Sequence, residues 1–450
     1  MNSTHTAVFS GTHQIDRYIE SLHEPQWMST IRRRALQAFC AMVWPTTEDE
    51  EWRRSDISSY DFDSYGLAPA AVVQPPQIAG SVDGAERSGV IRFRNGQCSE
   101  ASLDAGLARQ GVVFGPLSVL LDDGVGNNSA QHAAAVDAVR RLLEQRSQSF
   151  ENRILAWHYA TWTHGVVLYV PRFVEVKVPF EVQFDNGADQ ALSAPQVIAV
   201  LEEGARATLL HSVTGDDEGE VLINEAIDVD VAAAAYFDLF THYDLNVDST
   251  TFSNGRADIG RDAGFHSFVS NFGGMFSKLR FDADLNETGG DIDLDGLYFA
   301  SRDQHMDLRT VQSHNAFNAN SRTFYKGAVK DESHAIYQGL IRVARNASQT
   351  DAYLTNNTLL LNNGARADSI PGLNINTDDV KCSHGSTTGK IDPLQLFYLQ
   401  SRGLPSDVAR IMLVQGFLEE VINRAPLQVR ERLRELVEQR ILAQYDVDDE

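Results

Sequence analysis

Val197-Ile198-Ala199-Val200-Leu201-Glu202-Glu203-Gly204-Ala205-Arg206-Ala207-Thr208-Leu209-Leu210-His211-Ser212-Val213 is the stretch on which the reading of the fold turns. Two β-type runs, 197–201 and 207–213, flank the small turn Glu203-Gly204-Ala205. Such runs, β-branched or aromatic and closed by Gly, Asn or Asp, extend from His164 to about residue 388. They recur at roughly ten-residue intervals. Further examples are 174–184, 227–231, 236–242, 265–272, 278–285, 291–299, 335–343 and 358–361. No helix of ordinary length fits among them. So long a series of short strands predicts a sandwich, a barrel or a β-solenoid. The turn at Gly204 and a second at Asn363-Gly364-Ala365, each followed by another strand, favour the solenoid, although the repeat is too irregular to settle it.

Both flanks read as helical, which divides the chain into 1–163, 164–390 and 391–450. In the first part Ile31, Ala35, Leu36, Phe39, Met42 and Val43 recur at helical spacing,. Pro45 ends that run, and Thr47 is placed to cap the acidic turn Glu48-Asp49-Glu50-Glu51. Residues 61–90, with Pro75-Pro76, look like a linker. Helices are expected over 130–146 and from about Phe150 to Thr161. In the last part Asp392 is placed to cap a short helix with Pro393 at its first position and Gly403 beyond its end. Ser406 is placed to cap the next helix, to about Arg424, with Val408, Ile411, Met412, Phe417, Leu418 and Val421 on its apolar side. Pro426 starts the third, and an acidic tail follows.

Composition narrows the function. With 62 acidic against 38 basic residues the formal net charge is −24, which disfavours nucleic acid and anionic membrane surfaces as partners. No signal peptide and no membrane span is apparent. The three cysteines, Cys40, Cys98 and Cys382, form no disulfide framework, and a reducing cytoplasm suits them.

The stretch Asp379-Val380-Lys381-Cys382-Ser383-His384-Gly385-Ser386-Thr387-Thr388-Gly389 carries the chemistry. On a strand, Cys382 and His384 share a face. A soft sulfur beside an imidazole makes half of a zinc or iron site, so a partner must supply the rest. The bland alternative is a small buried thiol near an unrelated histidine. Gly385 to Ile391 imitates a phosphate-binding loop, but its glycines are one residue too close and Ile391 replaces the magnesium ligand. Asp291-Ile292-Asp293-Leu294-Asp295-Gly296 imitates a calcium loop but has Arg302 at the twelfth position; it reads better as a half-buried strand with its carboxylates in water. His305, His314 and His334 lie in successive runs and could align along one face, but they read better as exposed or hydrogen-bonded histidines on a polar face.

After Cys382 and His384 comes Asp392-Pro393-Leu394-Gln395-Leu396-Phe397-Tyr398-Leu399-Gln400-Ser401-Arg402-Gly403-Leu404-Pro405. Together with Thr350-Asp351-Ala352-Tyr353, Asn356 to Leu361, Tyr325-Lys326-Gly327 and Glu50-Glu51-Trp52-Arg53-Arg54-Ser55-Asp56-Ile57-Ser58, this passage resembles the SufB/SufD family of iron–sulfur cluster assembly proteins, over nearly the whole chain. The resemblance implies a right-handed parallel β-helix core between helical domains, and a non-catalytic scaffold subunit. It implies a SufB-like paralogue joined through the cores, with His384, and Cys382 beside it, at the interface where the nascent cluster or iron is held. It also implies a SufC-like ABC-type ATPase docked on the C-terminal helices through Ile411, Phe417, Leu418 and Val421. The isolated chain would hold no cluster, two copies could pair when alone, and a reduced flavin on the complex is left open. SufB-type chains carry their main cysteine in the segment matching Gln349-Thr350-Asp351, and a His-Glu pair where His384-Gly385 stands here. On both counts the chain falls with the SufD-type branch. The alternatives are an iron-binding homodimer and a solenoid carbohydrate lyase or hydrolase using Asp282, Asp284, Asp291 and Asp293.

Overall fold

Successive β-runs alternate between two sheets, and each strand lies parallel to the one a turn before it. The computed structural model describes residues 12–22, 24–67, 86–122 and 130–442. The first sheet runs from Val113–Pro116 through His164–Val170, Pro195–Leu201, Val221–Val231, Thr250–Ile259, Phe276–Leu285, His305–His314 and His334–Val343 to Arg366–Ile375. The second runs from Gln97–Leu103 and Gly89–Arg94 through Phe180–Asn186, Arg206–Gly215, Tyr236–Asp244, Gly264–Asn271, Asp291–Ala300, Asn320–Val329 and Thr350–Leu360 to Val380–Lys390. The result is a parallel β-solenoid of about eight turns.

Register explains why the repeat was hard to see. Thr250 pairs with Leu222 and Phe276, and His305 pairs with Phe276 and His334. Position is kept from turn to turn while residue type is not. What recurs is inward burial: Val221, Ile223, Ile227, Val229 and Val231 alternate into the lumen with Phe237, Leu239, Phe265 and Phe281,. Rings lie along the axis wherever a neighbouring turn offers a glycine. A Cβ on Gly327 would sit 1.8 Å from the Tyr298 ring, and one on Gly296 would sit 2.1 Å from Tyr325. These glycines serve close approach rather than turns.

Each sheet has a helical cover on its outer face. Gln26–Ala41, Ala130–Arg146 and Arg153–Thr161 close over Leu192, Ile198, Leu222, Ala226, Phe252 and Phe276 of the first sheet. Strands covered on both faces lose the apolar–polar alternation, as in the continuous run 197–201. On the other side Ser406–Ile422 and Arg430–Leu442 bury Val414, Leu418, Val421, Leu433 and Val437 against Leu210, Phe240, Phe268, Leu297 and Phe299 of the second sheet.

Several local expectations need correcting. The first 163 residues also contain Gly89–Arg94, Gln97–Leu103 and Val113–Pro116, which join the two sheets at their start. Of the expected linker, residues 68–85 lie outside the described residues, and Gly66–Leu67 pairs with Ala191–Ser193. Thr46 rather than Thr47 bonds the acidic turn, accepting from the Glu48 amide at 3.3 Å. Asp392 caps Pro393–Ser401 by accepting from the Leu394 amide at 2.8 Å. Ser406 makes no cap bond, because Pro405 occupies that position.

Candidate functional site

Both sheets end together, at Arg366–Ile375 and Val380–Lys390, and among the described residues nothing pairs with their far edges. Most side chains of these last strands are exposed or half-buried, in contrast to the closed turns before them. Cys382 stands over Ala352 and His384 over Leu354. Ala352 and Leu354 face the lumen and are buried, so in parallel register the thiol and imidazole look inward over the last closed turn. The expectation that they share a face therefore has a definite location: the open mouth of the solenoid. Leu373 and Ile375 extend the column of lumen residues Ile341 and Val343 on the facing strand and stay 40% and 37% exposed.

The two donors differ in setting. Cys382 is half-buried against the lumen, and burial pushes its thiol above its usual range, with Asp351 adding to the shift and the Ala352 backbone opposing it. The sulfur therefore stays protonated at neutral pH until a metal or a positive partner displaces the proton. His384 is exposed. No third His, Cys, Asp or Glu among the described residues completes a metal site around them. A thiol beside an imidazole suits zinc or iron, and one chain supplies two donors. Thr350, where the SufB-type cysteine would stand, is buried, and its hydroxyl donates to the Ala347 carbonyl at 2.8 Å.

Other expected constellations separate. His305 and His334 are in register with rings 5.2 Å apart, but His314 points into the lumen at the far end of its strand and bonds Ser321 at 2.8 Å. The four carboxylates weighed for a carbohydrate enzyme share no groove. Asp282 and Asp284 lie on the first sheet, paired with Arg280 and Arg256 at 2.7 Å each, whereas Asp291 and Asp293 lie on the second. Gly385 to Lys390 is extended strand, not a loop that could wrap phosphate. In the calcium-like run, Asp295 is not in water: it is 1% exposed and held by Arg424 at 2.9 Å and His266 at 3.3 Å.

The docking residues also need revision. Leu418 and Val421 are completely buried against the second sheet, and Ile411 and Phe417 are half-buried there. The apolar side of Ser406–Ile422 is thus occupied by the solenoid itself. What the C-terminal helices leave outside is Leu394, Phe397 and Tyr398, at 76, 68 and 56% exposure, with Val408 and Met412 on the adjoining helix. The sequence carried a signal for this patch. Leu394-Gln395-Leu396-Phe397-Tyr398-Leu399 is apolar all round a short helix, more than one neighbour can cover.

Comparison with known proteins bears on the family of the chain. The family described as "SUF system FeS cluster assembly, SufBD core domain" matches residues 184–417. An iron–sulfur cluster assembly SufBD family protein of Mycobacterium leprae is 31% identical over 299 residues, covering 64% of this chain and 74% of that one. The protein named iron–sulfur cluster assembly protein SufD in Escherichia coli is 34% identical over 235 residues, 49% of this chain and 52% of its own. Its namesake in Bacillus subtilis is 24% identical over 442 residues, 94% of this chain and 96% of its own. No described helix is long and apolar enough to cross a membrane.

Proposed function

The chain belongs to the SufBD family of iron–sulfur cluster assembly proteins, and from that premise we propose that it is the SufD-like subunit of an assembly scaffold in the cytoplasm. It pairs through the open mouth of its solenoid with a SufB-like paralogue and docks a SufC-like ATPase on its C-terminal helices. The observation that carries this reading is the placement of Cys382 and His384 on a terminal strand with an unpaired edge. An unpaired edge is where a second chain can continue a sheet.

The cluster is cargo at that junction. His384 and Cys382 offer two donors, and a partner chain offers the others. The Cys382 proton is displaced only as metal arrives, so the half-site binds weakly alone. A shell divided between two chains opens when they move apart, which suits release better than four thiolates on one chain. The ATPase docks on the exposed Leu394, Phe397, Tyr398 and Met412 rather than on the buried Leu418 and Val421. For nucleotide to drive opening, the ATPase must bind the open and closed pair with different affinity.

Affinity capture of the full chain from its own cells tests the partnership. Recovery of a SufB-like paralogue and a Walker-type ATPase supports it; recovery of neither, from cells expressing both, refutes it. Phe397→Asp should abolish ATPase capture while leaving the paralogue bound, and retained capture would move the docking site elsewhere.

A further inference from the structure

The lumen is not uniformly apolar. Inward positions stack turn on turn, and one column of the second sheet runs from His211 through Thr241, Val269 and Gly296 to Tyr325, Asn356 and Ser386. A column of the first sheet runs from Glu225 through Ser253, Leu279 and Leu308 to Tyr337 and Ser369. The two meet across the lumen at three levels. His211 Nε2 is 2.9 Å from Glu225 Oε1, the Tyr325 and Tyr337 rings are 4.9 Å apart, and Asn356 Nδ2 donates to Ser369 Oγ at 3.0 Å.

At the inner level the polar groups are incomplete. Glu225 and His211 are both fully buried. Glu225 Oε2 accepts from the Tyr243 hydroxyl at 2.5 Å and the Ser253 hydroxyl at 2.9 Å. His211 Nε2 and Glu225 Oε1 form a close ion-pair contact that lacks the alignment of a hydrogen bond, and among the described residues His211 Nδ1 has no hydrogen-bond partner. Lumen atoms Thr251 Oγ1, Ser267 Oγ and Asn271 Oδ1 are in the same state. Each such atom is costly if left dry, and native interiors rarely leave several together.

A cavity lies beside this group. Thr241, Tyr243, Ser253 and Tyr325 line it together with Val269, Leu279 and Leu308, and it has room for a water molecule,. Among the described residues the Tyr325 hydroxyl, in a residue 3% exposed, makes no hydrogen bond to protein. The Tyr243 hydroxyl also lies 2.8 Å from the Ser253 hydroxyl, so the two hydroxyl protons are shared among Tyr243, Ser253 and Glu225, and lone pairs remain for another donor,. The wall is mixed, with Ile227 and Phe281 adding to its apolar part, and the hydroxyl residues within it supply the polar partners that one water needs,. A metal ion does not fit, because among the described residues no third His, Cys, Asp or Glu donor stands near His211 and Glu225.

We propose that this part of the lumen is a built water site. Ordered water in the cavity joins the Tyr325 hydroxyl to the Tyr243–Ser253–Glu225 group, and further water completes the unpartnered atoms around His211. The file continues one register step from Tyr325 to Asn356 and another to Ser386, the inward position next to His384. The column of inward positions therefore ends at the open mouth, while the water site itself lies at the level of Tyr325 and Tyr243, and the inference does not depend on the assembly reading.

A crystal structure of the full chain, at a resolution that places waters, is the direct test. Density within hydrogen-bond reach of Tyr325 Oη and of Tyr243 or Ser253 is expected, and an empty cavity overturns the proposal. Tyr325→Phe gives a second readout through its sign. If the hydroxyl holds a water, removing it lowers the melting temperature, by about 1–2 °C. If the hydroxyl is buried dry, its removal leaves the melting temperature unchanged or higher, and the water site is excluded.

Discussion

The two ends of the solenoid are built to opposite rules. At the N-terminal end the stack is closed by an antiparallel hairpin, Gly89–Arg94 with Gln97–Leu103, and by the antiparallel strand Val113–Pro116. Rings seal the lumen there: Phe93 stacks on Phe184 at 5.1 Å and Phe114 lies 4.8 Å from Phe180. The outermost strands are short or charged, Glu100 pairing with Arg92 at 2.8 Å and Pro116 ending the other edge. Those are the devices that prevent edge-to-edge addition. At the C-terminal end two long strands stand with free edges over a lumen that still shows apolar side chains. Pro371 removes one backbone donor from the first, so Val380–Lys390 offers the longer uninterrupted edge,. One end is finished, and at the other the last strand edges have no paired neighbour among the described residues.

The largest expected effects break this contrast directly. Leu373→Glu together with Ile375→Glu should abolish pairing with the paralogue, read by light scattering on the co-expressed chains. The melting temperature of the isolated chain should hold, since both side chains are already exposed. Pairing that survives would remove the open mouth as the interface. At the closed end Phe93→Ala should cost about 3–5 kcal/mol in chemical denaturation, against roughly 0.5 kcal/mol or less for Leu373→Ala. Equal costs would mean that the two ends are equally closed.

Part of this contrast was legible in the sequence and part was not. Strands such as Pro195–Leu201 and Arg206–Gly215 announced themselves, because β-branched runs closed by Gly or Asp have few other uses,. The helix Ala130–Arg146 matched its expected bounds. Gln97–Leu103 did not announce itself: Gln-Cys-Ser-Glu-Ala-Ser-Leu has little intrinsic β-preference, and its pairing with Gly89–Arg94 makes it a strand. The apolar side of Ser406–Ile422 could be read from spacing, but not what covers it, since that lies in strands far earlier in the chain. For the site, two-residue spacing placed Cys382 and His384 on one face. That this face is the solenoid's open mouth follows only from the register with Ala352 and Leu354.

A smaller effect separates the two donors. His384 is exposed, so His384→Ala should leave folding and partner capture unchanged while cluster yield in cells falls severalfold. An unchanged yield would take His384 out of the mechanism. Cys382→Ser should lower yield less, because its thiol is partly committed to packing on the lumen. A larger loss for Cys382→Ser would reverse their ranking.

The smallest effect concerns how firmly the C-terminal helices are held, and it depends on pH. Burial alone would push His266 down, but Asp238 at 3.0 Å and Asp295 at 3.3 Å outweigh it and raise the imidazole from 6.5 to about 9. A raised pKa of this kind stabilises the folded state fully below about pH 6.5, and the contribution is lost as pH rises through about 9,. Asp295 is also the carboxylate that receives Arg424 from the end of Ser406–Ile422, with Asp293 3.9 Å from the same guanidinium. When His266 loses its proton, Asp295 keeps one cation instead of two while almost fully buried, and the contact with the helix is strained. The Arg440–Asp244 contact at 2.5 Å and the apolar face remain, so the loss is partial. Hydrogen-exchange protection of Ser406–Ile422, corrected for intrinsic rates, should therefore drop roughly fivefold between pH 6.5 and 9.5, a change of about 1 kcal/mol. His266→Gln should flatten that dependence. If the wild-type helix were equally protected at both pH values, the apolar face alone would hold it, and the charged box around Asp295 would have no part in fastening the helices that carry the docking patch.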